Sequence, residues 1–163
     1  MSTTYVIAVG GSLIVPDHID IDFLYEFREI ILDHVDDGDR FALIAGGGRT
    51  SREYQEAARD IKQLNEVDLD WLGIHATRLN AHLIRTIFRD VAREKLVTNP
   101  TKNITFDGNS VLVGSGWKPG CSTDHDAVLL ADEIGAETIL NLSDLDYVYD
   151  KDPTEHNDAQ PVE

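Results

Sequence analysis

The stretch ALIAGGGRTSR, residues 42–52, passes from apolar residues through three glycines into two arginines. Phe41 to Ala45 reads as a short strand, since a continuous apolar run stopped by glycine fits a strand covered on both faces. Glycine has no Cβ, so backbone amides there can close on a ligand. A helix from about Thr50 onward would add the partial positive charge of its first amides, which suits phosphate. Arg49 and Arg52 can supply charge-assisted bonds to phosphate oxygens. The spacing is neither a Walker P-loop nor a dinucleotide G-x-G-x-x-G, and a plain tight turn is the competing reading.

A second stretch of the same kind, YVIAVGGSL at residues 5–13, weighs against the plain turn. Tyr5 to Val9 reads as a strand ending at Gly10-Gly11-Ser12. Asp20 or Asp22 then stands where a helix cap belongs, before Phe23, Leu24, Phe27, Ile30, Ile31 and Val35 at helical spacing; Gly38 ends that helix. Tyr54, Ala57, Ala58 and Ile61 continue a helix after the second glycine turn. A longer helical pattern runs through DWLGIHATRLNAHLIRTIFRDVAREKL, residues 70–96. Val111 to Val113 and Thr138 to Leu142 read as further strands. Between them lie the loop GSGWKPGCSTDHD and a helix through Ala127, Leu130, Ala131 and Ile134 to Gly135. Strands alternating with helices predict an α/β fold with a mainly parallel sheet, whose ligands collect at the carboxyl ends of the strands. Every proposed strand ends in a loop of Gly, Ser, Thr or Asp.

At 163 residues and 42% hydrophobic, the chain suits one domain over residues 1–163. No signal-peptide pattern or apolar run of spanning length occurs, and the lone Cys121 fits a reducing compartment, so a soluble cytoplasmic protein is expected. The formal net charge of −16 excludes broad contact with nucleic acid or an anionic membrane, leaving any phosphate site as a local exception. The same acidity suits solubility in high salt. His75 and His82 are seven residues apart, about 10 Å along a helix, too far to share one metal ion. Asp144, Asp146, Asp150 and Asp152 lack the spacing and central glycine of a calcium loop, so no protein-held metal is expected.

Taken together, VGGSLIVPDHIDIDFL, AGGGRTSREY, DWLGIHATRLNAHLI, GWKPGCSTDHDAVLLADEIGAE and NLSDLDYVYDKDP resemble the amino-acid kinase superfamily, and within it the archaeal type of UMP kinases. Relatives that phosphorylate isopentenyl phosphate usually carry histidine in the second glycine turn, where this chain has Gly46-Gly47-Gly48-Arg49. The resemblance implies a three-layer αβα sandwich and transfer of the γ-phosphoryl of ATP, with Mg²⁺, to UMP. It implies Asp124 and Arg52 as catalytic residues. It places ATP on Gly10, Gly11, Ser12, Gly48, Arg52, Ser143, Asp144, Tyr149 and Asp152, with Asp146 in the acidic turn beside them. It places UMP on Gly46, Gly47, Asp70 and the loop Trp117, Lys118, Pro119, Gly120, Cys121, Ser122 and Thr123. The helix from Arg78 to Ile87 would form a dimer contact, within a dimer or hexamer.

The chain departs from that pattern at several points. Trp117 stands where a small residue opens the acceptor loop, Cys121 replaces histidine or threonine, and Asp126 replaces alanine. Tyr147 replaces a glycine. The first glycine turn carries no lysine, so charge compensation would rest on Arg49, Arg52, Lys118 and metal. Members of the family continue for several tens of residues beyond the DP dipeptide, so a C-terminally incomplete fold is expected. The altered acceptor loop keeps a second reading open, a non-catalytic nucleotide- or oxyanion-binding, storage or regulatory protein on the same fold.

Overall fold

The computed structural model describes residues 2–145, 147, 150 and 158–162. Four parallel strands form the sheet: β1 (Thr4–Val9), β2 (Arg40–Ala45), β3 (Val111–Gly114) and β4 (Thr138–Leu142). Their order across the sheet is β3-β2-β1-β4, with Val6 opposite Ala42 and Ile139, and Leu43 opposite Val113. The chain steps outward from β1 to β3 and then returns to the far side of β1. That reversal leaves a crevice at the carboxyl ends of the strands.

The helices are α1 (Gly11–Ile14), α2 (Ile21–Asp36), α3 (Gly48–Ile61), α4 (Glu66–Ile87) and α5 (Thr123–Ile134). Strand alternation sorts them. Ile7, Val9, Leu43, Ala45, Val111 and Val113 face Leu24, Phe27 and Ile31 of α2 and Ile84 of α4. Val6, Ala8, Ala42, Ile44 and Leu112 face Ala127, Leu130 and Ala131 of α5. The result is helices, sheet and helix in three layers, as the family resemblance implies. Burying each such Leu or Ile contributes about 1.5–3 kcal/mol before chain entropy is counted. Helix α3 has no buried residue and lies outside against α4. No helix among the described residues is long and apolar enough to cross a membrane.

Asp20, of the two candidates, caps α2, accepting the Phe23 amide at 2.9 Å. The long helical pattern is longer than the helix it makes. Helix α4 starts at Glu66, capped by Asn65, and ends at Ile87, well short of Leu96. Phe88 is buried, and the chain beyond it runs beside β3. There the Val111 amide bonds the Val91 carbonyl at 3.1 Å, and the Val97 amide bonds the Val113 carbonyl at 2.8 Å. The outer edge of β3 needed backbone partners, and that demand overrides local helical spacing. Helix α5 begins earlier than its apolar residues suggest, at Thr123, because Ser122 caps it by accepting the His125 amide at 3.1 Å. On β4, Ile139 and Leu140 remain about two-fifths exposed.

Candidate active site

The two glycine turns meet. A Cβ built on Gly11 would lie 2.0 Å from the Gly48 amide nitrogen, and one on Gly48 would lie 2.2 Å from the Gly11 carbonyl oxygen. Gly48 also has φ +60°, a conformation that side chains other than glycine's rarely adopt. Further bonds tie the strand ends together: the Gly46 amide to the Val9 carbonyl at 2.9 Å, and the Gly10 amide to the Leu142 carbonyl at 2.8 Å. Ser12 Oγ donates to Asp144 Oδ1 at 2.8 Å. The carboxyl ends of β1, β2 and β4 are thus one backbone assembly.

The N-terminus of α3 opens from this assembly. Helices α2, α4 and α5 have side-chain caps, whereas α3 begins at Gly47 with none. The Arg49 amide of this first turn donates to the Val15 carbonyl at 3.0 Å, and the other uncapped amides at the helix start are the donors suited to an anion. The turn is held from behind by Asn80 on α4, whose amide donates to the Gly46 carbonyl at 2.8 Å and the Gly47 carbonyl at 3.1 Å. Asn80 is 4% exposed. Its two bonds fix the Gly46 and Gly47 carbonyls on the α4 side of the turn. Nothing in the local sequence marks it, because an Asn inside a helical pattern reads as a neutral surface residue.

In front of the turn is an open cavity of about 340 Å³, at the small end of ligand-pocket size. Gly47, Gly48 and Arg52 line one side, Asp70 and Thr77 of α4 another, and Lys118, Cys121, Ser122 and Thr123 a third. Two cations therefore face one space in a chain of net charge −16. Arg49 does not join them. Its guanidinium pairs with Asp17 at 2.6 Å and Glu53 at 2.7 Å, and the Glu53 bond holds its pKa above the ordinary value. The two arginines lie three residues apart, close to one turn and on neighbouring positions of the helix, so it is the carboxylates of Asp17 and Glu53 that set Arg49 apart.

A model of the amino acid kinase family matches residues 3–163. The chain belongs to the amino acid kinase family. Among its relatives, the uridylate kinase of Sulfurisphaera tokodaii is 36% identical over 145 residues, which are 88% of this chain and 64% of that protein. The uridylate kinase of Thermococcus sibiricus is 34% identical over 160 residues, 95% of this chain and 68% of the relative. The crystal structure of the uridylate kinase of Archaeoglobus fulgidus superposes with a TM-score of 0.77 at 31% identity, covering 96% of this chain and 71% of that one. The chain thus spans about two thirds of the length of these curated relatives.

In this member of the amino acid kinase family, the residues singled out from sequence fall into three groups. Gly47, Gly48, Arg52, Asp70, Lys118, Cys121, Ser122 and Thr123 share the cavity. Gly10, Gly11, Ser12 and Asp144 cluster beside it, through the contacts of Gly11 with Gly48 and of Ser12 with Asp144; Gly46 joins them behind the turn, and Ser143 accepts the Leu145 amide. Trp117, Pro119 and Gly120 build the 116–121 loop without lining the cavity, and Asp124 is exposed on the first turn of α5. Asp146, Tyr149 and Asp152 lie outside the described residues. Ser51, Gln55, Thr77 and Asn80 were not legible as site residues. Among the described residues, no three His, Cys, Asp or Glu side chains come together as metal ligands.

Proposed function

We propose that this chain carries out the UMP kinase reaction, transferring the γ-phosphoryl group of ATP to UMP to give UDP and ADP. The observation that carries the reading is the apposition of the two glycine turns beside the uncapped start of α3, with Arg52 and Lys118 facing the same cavity. The resemblance to uridylate kinases of archaea supports UMP as the acceptor.

In this reading Gly10, Gly11 and Ser12 receive the ATP phosphates, with Gly48 and Arg52 between donor and acceptor. Ser143 and Asp144, together with Tyr149 and Asp152, hold the adenosine side. Gly46, Gly47, Asp70 and the loop from Trp117 to Thr123 enclose UMP. Asp124, in the first turn of α5, orders the catalytic groups. ATP enters as its Mg²⁺ complex, an ion that keeps several waters and binds chiefly through substrate phosphates. The protein's task is to align two anions and spread positive charge over the transferring group. No general base is required, because the acceptor phosphate is already ionised.

A homo-oligomer in the cytoplasm completes the proposal. On the outer face of α4, Trp71 is 38% and Leu79 64% exposed, about two turns apart. A second copy seated on α4 would cover that face.

The test is a chromatographic assay of the purified chain with ATP, Mg²⁺ and each nucleoside monophosphate, from low salt to molar KCl. UDP and ADP formed with UMP alone is the expected result. UMP binding without product at any salt would overturn the kinase reading.

A further inference from the structure

The loop that leaves β3 is held at its root by two buried side chains from opposite layers of the sandwich. The Gly116 amide donates to Thr77 Oγ1 at 2.9 Å. Thr77 is on α4, is 7% exposed, and passes its own hydroxyl proton to the Ile74 carbonyl at 2.6 Å. The next amide, that of Trp117, donates to Asp126 Oδ2 at 3.0 Å. Asp126 is on α5, on the other face of the sheet, and is fully buried. A third bond, from the Gly120 amide to Asp70 Oδ2 at 2.8 Å, lies at the surface.

Asp126 is costly where it stands. Its Oδ1 has no hydrogen-bond partner, and a buried carboxylate with one bond pays a desolvation penalty that an apolar residue would avoid. Burial pushes its pKa up, against the opposing pull of the Trp117 amide, His125 and Lys118. Capping does not account for it, because Ser122 already caps α5. The remaining task is the Trp117 amide. Together with Thr77, Asp126 draws consecutive amides into opposite layers, which fixes the direction in which the chain departs. Lys118 and Cys121 follow within a few residues, and both line the cavity. The Lys118 ammonium stands 4.0 Å over the Trp117 ring, so the orientation of residue 117 also sets that of the cation.

We propose that Thr77 and Asp126 are positioning residues, a two-sided clamp on the Gly116 and Trp117 amides that aims the following loop at the acceptor nucleotide. The inference rests on the reading of that loop as the UMP-binding loop.

The experiment compares Asp126→Ala, Asp126→Asn, Thr77→Val and Thr77→Ser in the full chain. Hydrogen exchange of the 114–122 segment is followed alongside UMP and ATP affinities by calorimetry. Asp126→Ala and Thr77→Val should each speed exchange in this segment selectively and weaken UMP about tenfold, as expected when a charge-assisted or buried bond is lost. ATP affinity should change by less than about twofold. Asp126→Asn and Thr77→Ser, which keep an acceptor oxygen, should restore both readouts to within about threefold. Unchanged exchange in both disruptive variants, or exchange raised equally across the whole chain, would overturn the clamp. If Asp126→Ala does not fold, Thr77→Val and Asp126→Asn decide alone. Should the wild-type chain bind no UMP, the acceptor reading fails, while the exchange data still decide whether the clamp exists.

Discussion

Gly11→Ala is the sharpest test of the site, because the added methyl has nowhere to go. Its Cβ would lie 2.0 Å from the Gly48 nitrogen, 2.6 Å from the Gly48 Cα and 2.7 Å from the Gly47 nitrogen, all backbone atoms. Ordinary contact begins near 3.5 Å, so the two turns would have to part by about 1.5 Å. Neither can move cheaply: the Gly46 amide is bonded to Val9, and Asn80 holds the other side of the second turn. Overpacking of this kind costs about 1–3 kcal/mol. For a chain of this size that corresponds to a Tm lower by roughly 2–12 °C. The catalytic loss should exceed the stability loss, since a misplacement of about 1 Å can cost 100-fold in rate. Steady-state turnover with ATP and UMP should therefore fall at least about 100-fold at a temperature where the variant is folded. Gly135→Ala is the control. It places a side chain at φ +68° in the C-cap of α5, costing about 1–2 kcal/mol with no loss of turnover. Near wild-type turnover in Gly11→Ala would refute the apposition of the two turns.

Four further outcomes are expected. Arg52→Ala should lower kcat/KM by about 100-fold or more with little change in Tm, whereas Arg49→Ala, which breaks only exposed ion pairs, should leave kcat/KM within about threefold; equal effects in the same assay would contradict the division between them. Asn80→Ala should cost about 1–3 kcal/mol in denaturant unfolding, and Asn80→Asp more, because a carboxylate would face two carbonyl oxygens; an Asp variant as stable as Ala would refute the bonds drawn to the turn. Asp126→Asn should change the pH dependence of stability. Burial raises the Asp126 pKa, so the folded state holds its proton more tightly than the unfolded state, and wild-type stability is lost as pH rises above the ordinary carboxylate value of about 3.9. The Tm advantage of Asp126→Asn should then grow with pH, and a difference flat from about pH 4 to 7 would refute the burial argument. Finally, Ser122→Ala should lower stability by about 0.5–2 kcal/mol through loss of the α5 cap, measured by thermal unfolding, and no loss would remove that role.

Much of the fold was legible because its signals are local. Three strands buried on both faces read as unbroken apolar runs, and each stops at a residue that tolerates a turn. Capping by Asp20 follows from the chemistry of one side chain three residues from its partner. Legibility failed where a residue answers to something distant in sequence. Residues 88–96 keep helical spacing, yet the open edge of β3 takes their backbone groups. Arg49 and Arg52 look equivalent in sequence, but Asp17, 32 residues away from Arg49, claims it through a bond seen only in three dimensions.

The candidate site divides in the same way. By itself the sequence determined that glycine turns follow β1 and β2, that an arginine follows the second of them, and that an acidic chain reserves a few cations for anions. Bare backbone and charge type are properties of single residues, so they can be read in order along the chain. Only the tertiary structure decided that the two turns touch, that Asn80 holds one of them, and that Thr77 and Asp126 grip the next loop from opposite layers. Those contacts join residues 34 or 37 apart for the turns, and 39 for Thr77 with Gly116. They depend on strand order and on which face each helix covers, which no local pattern encodes.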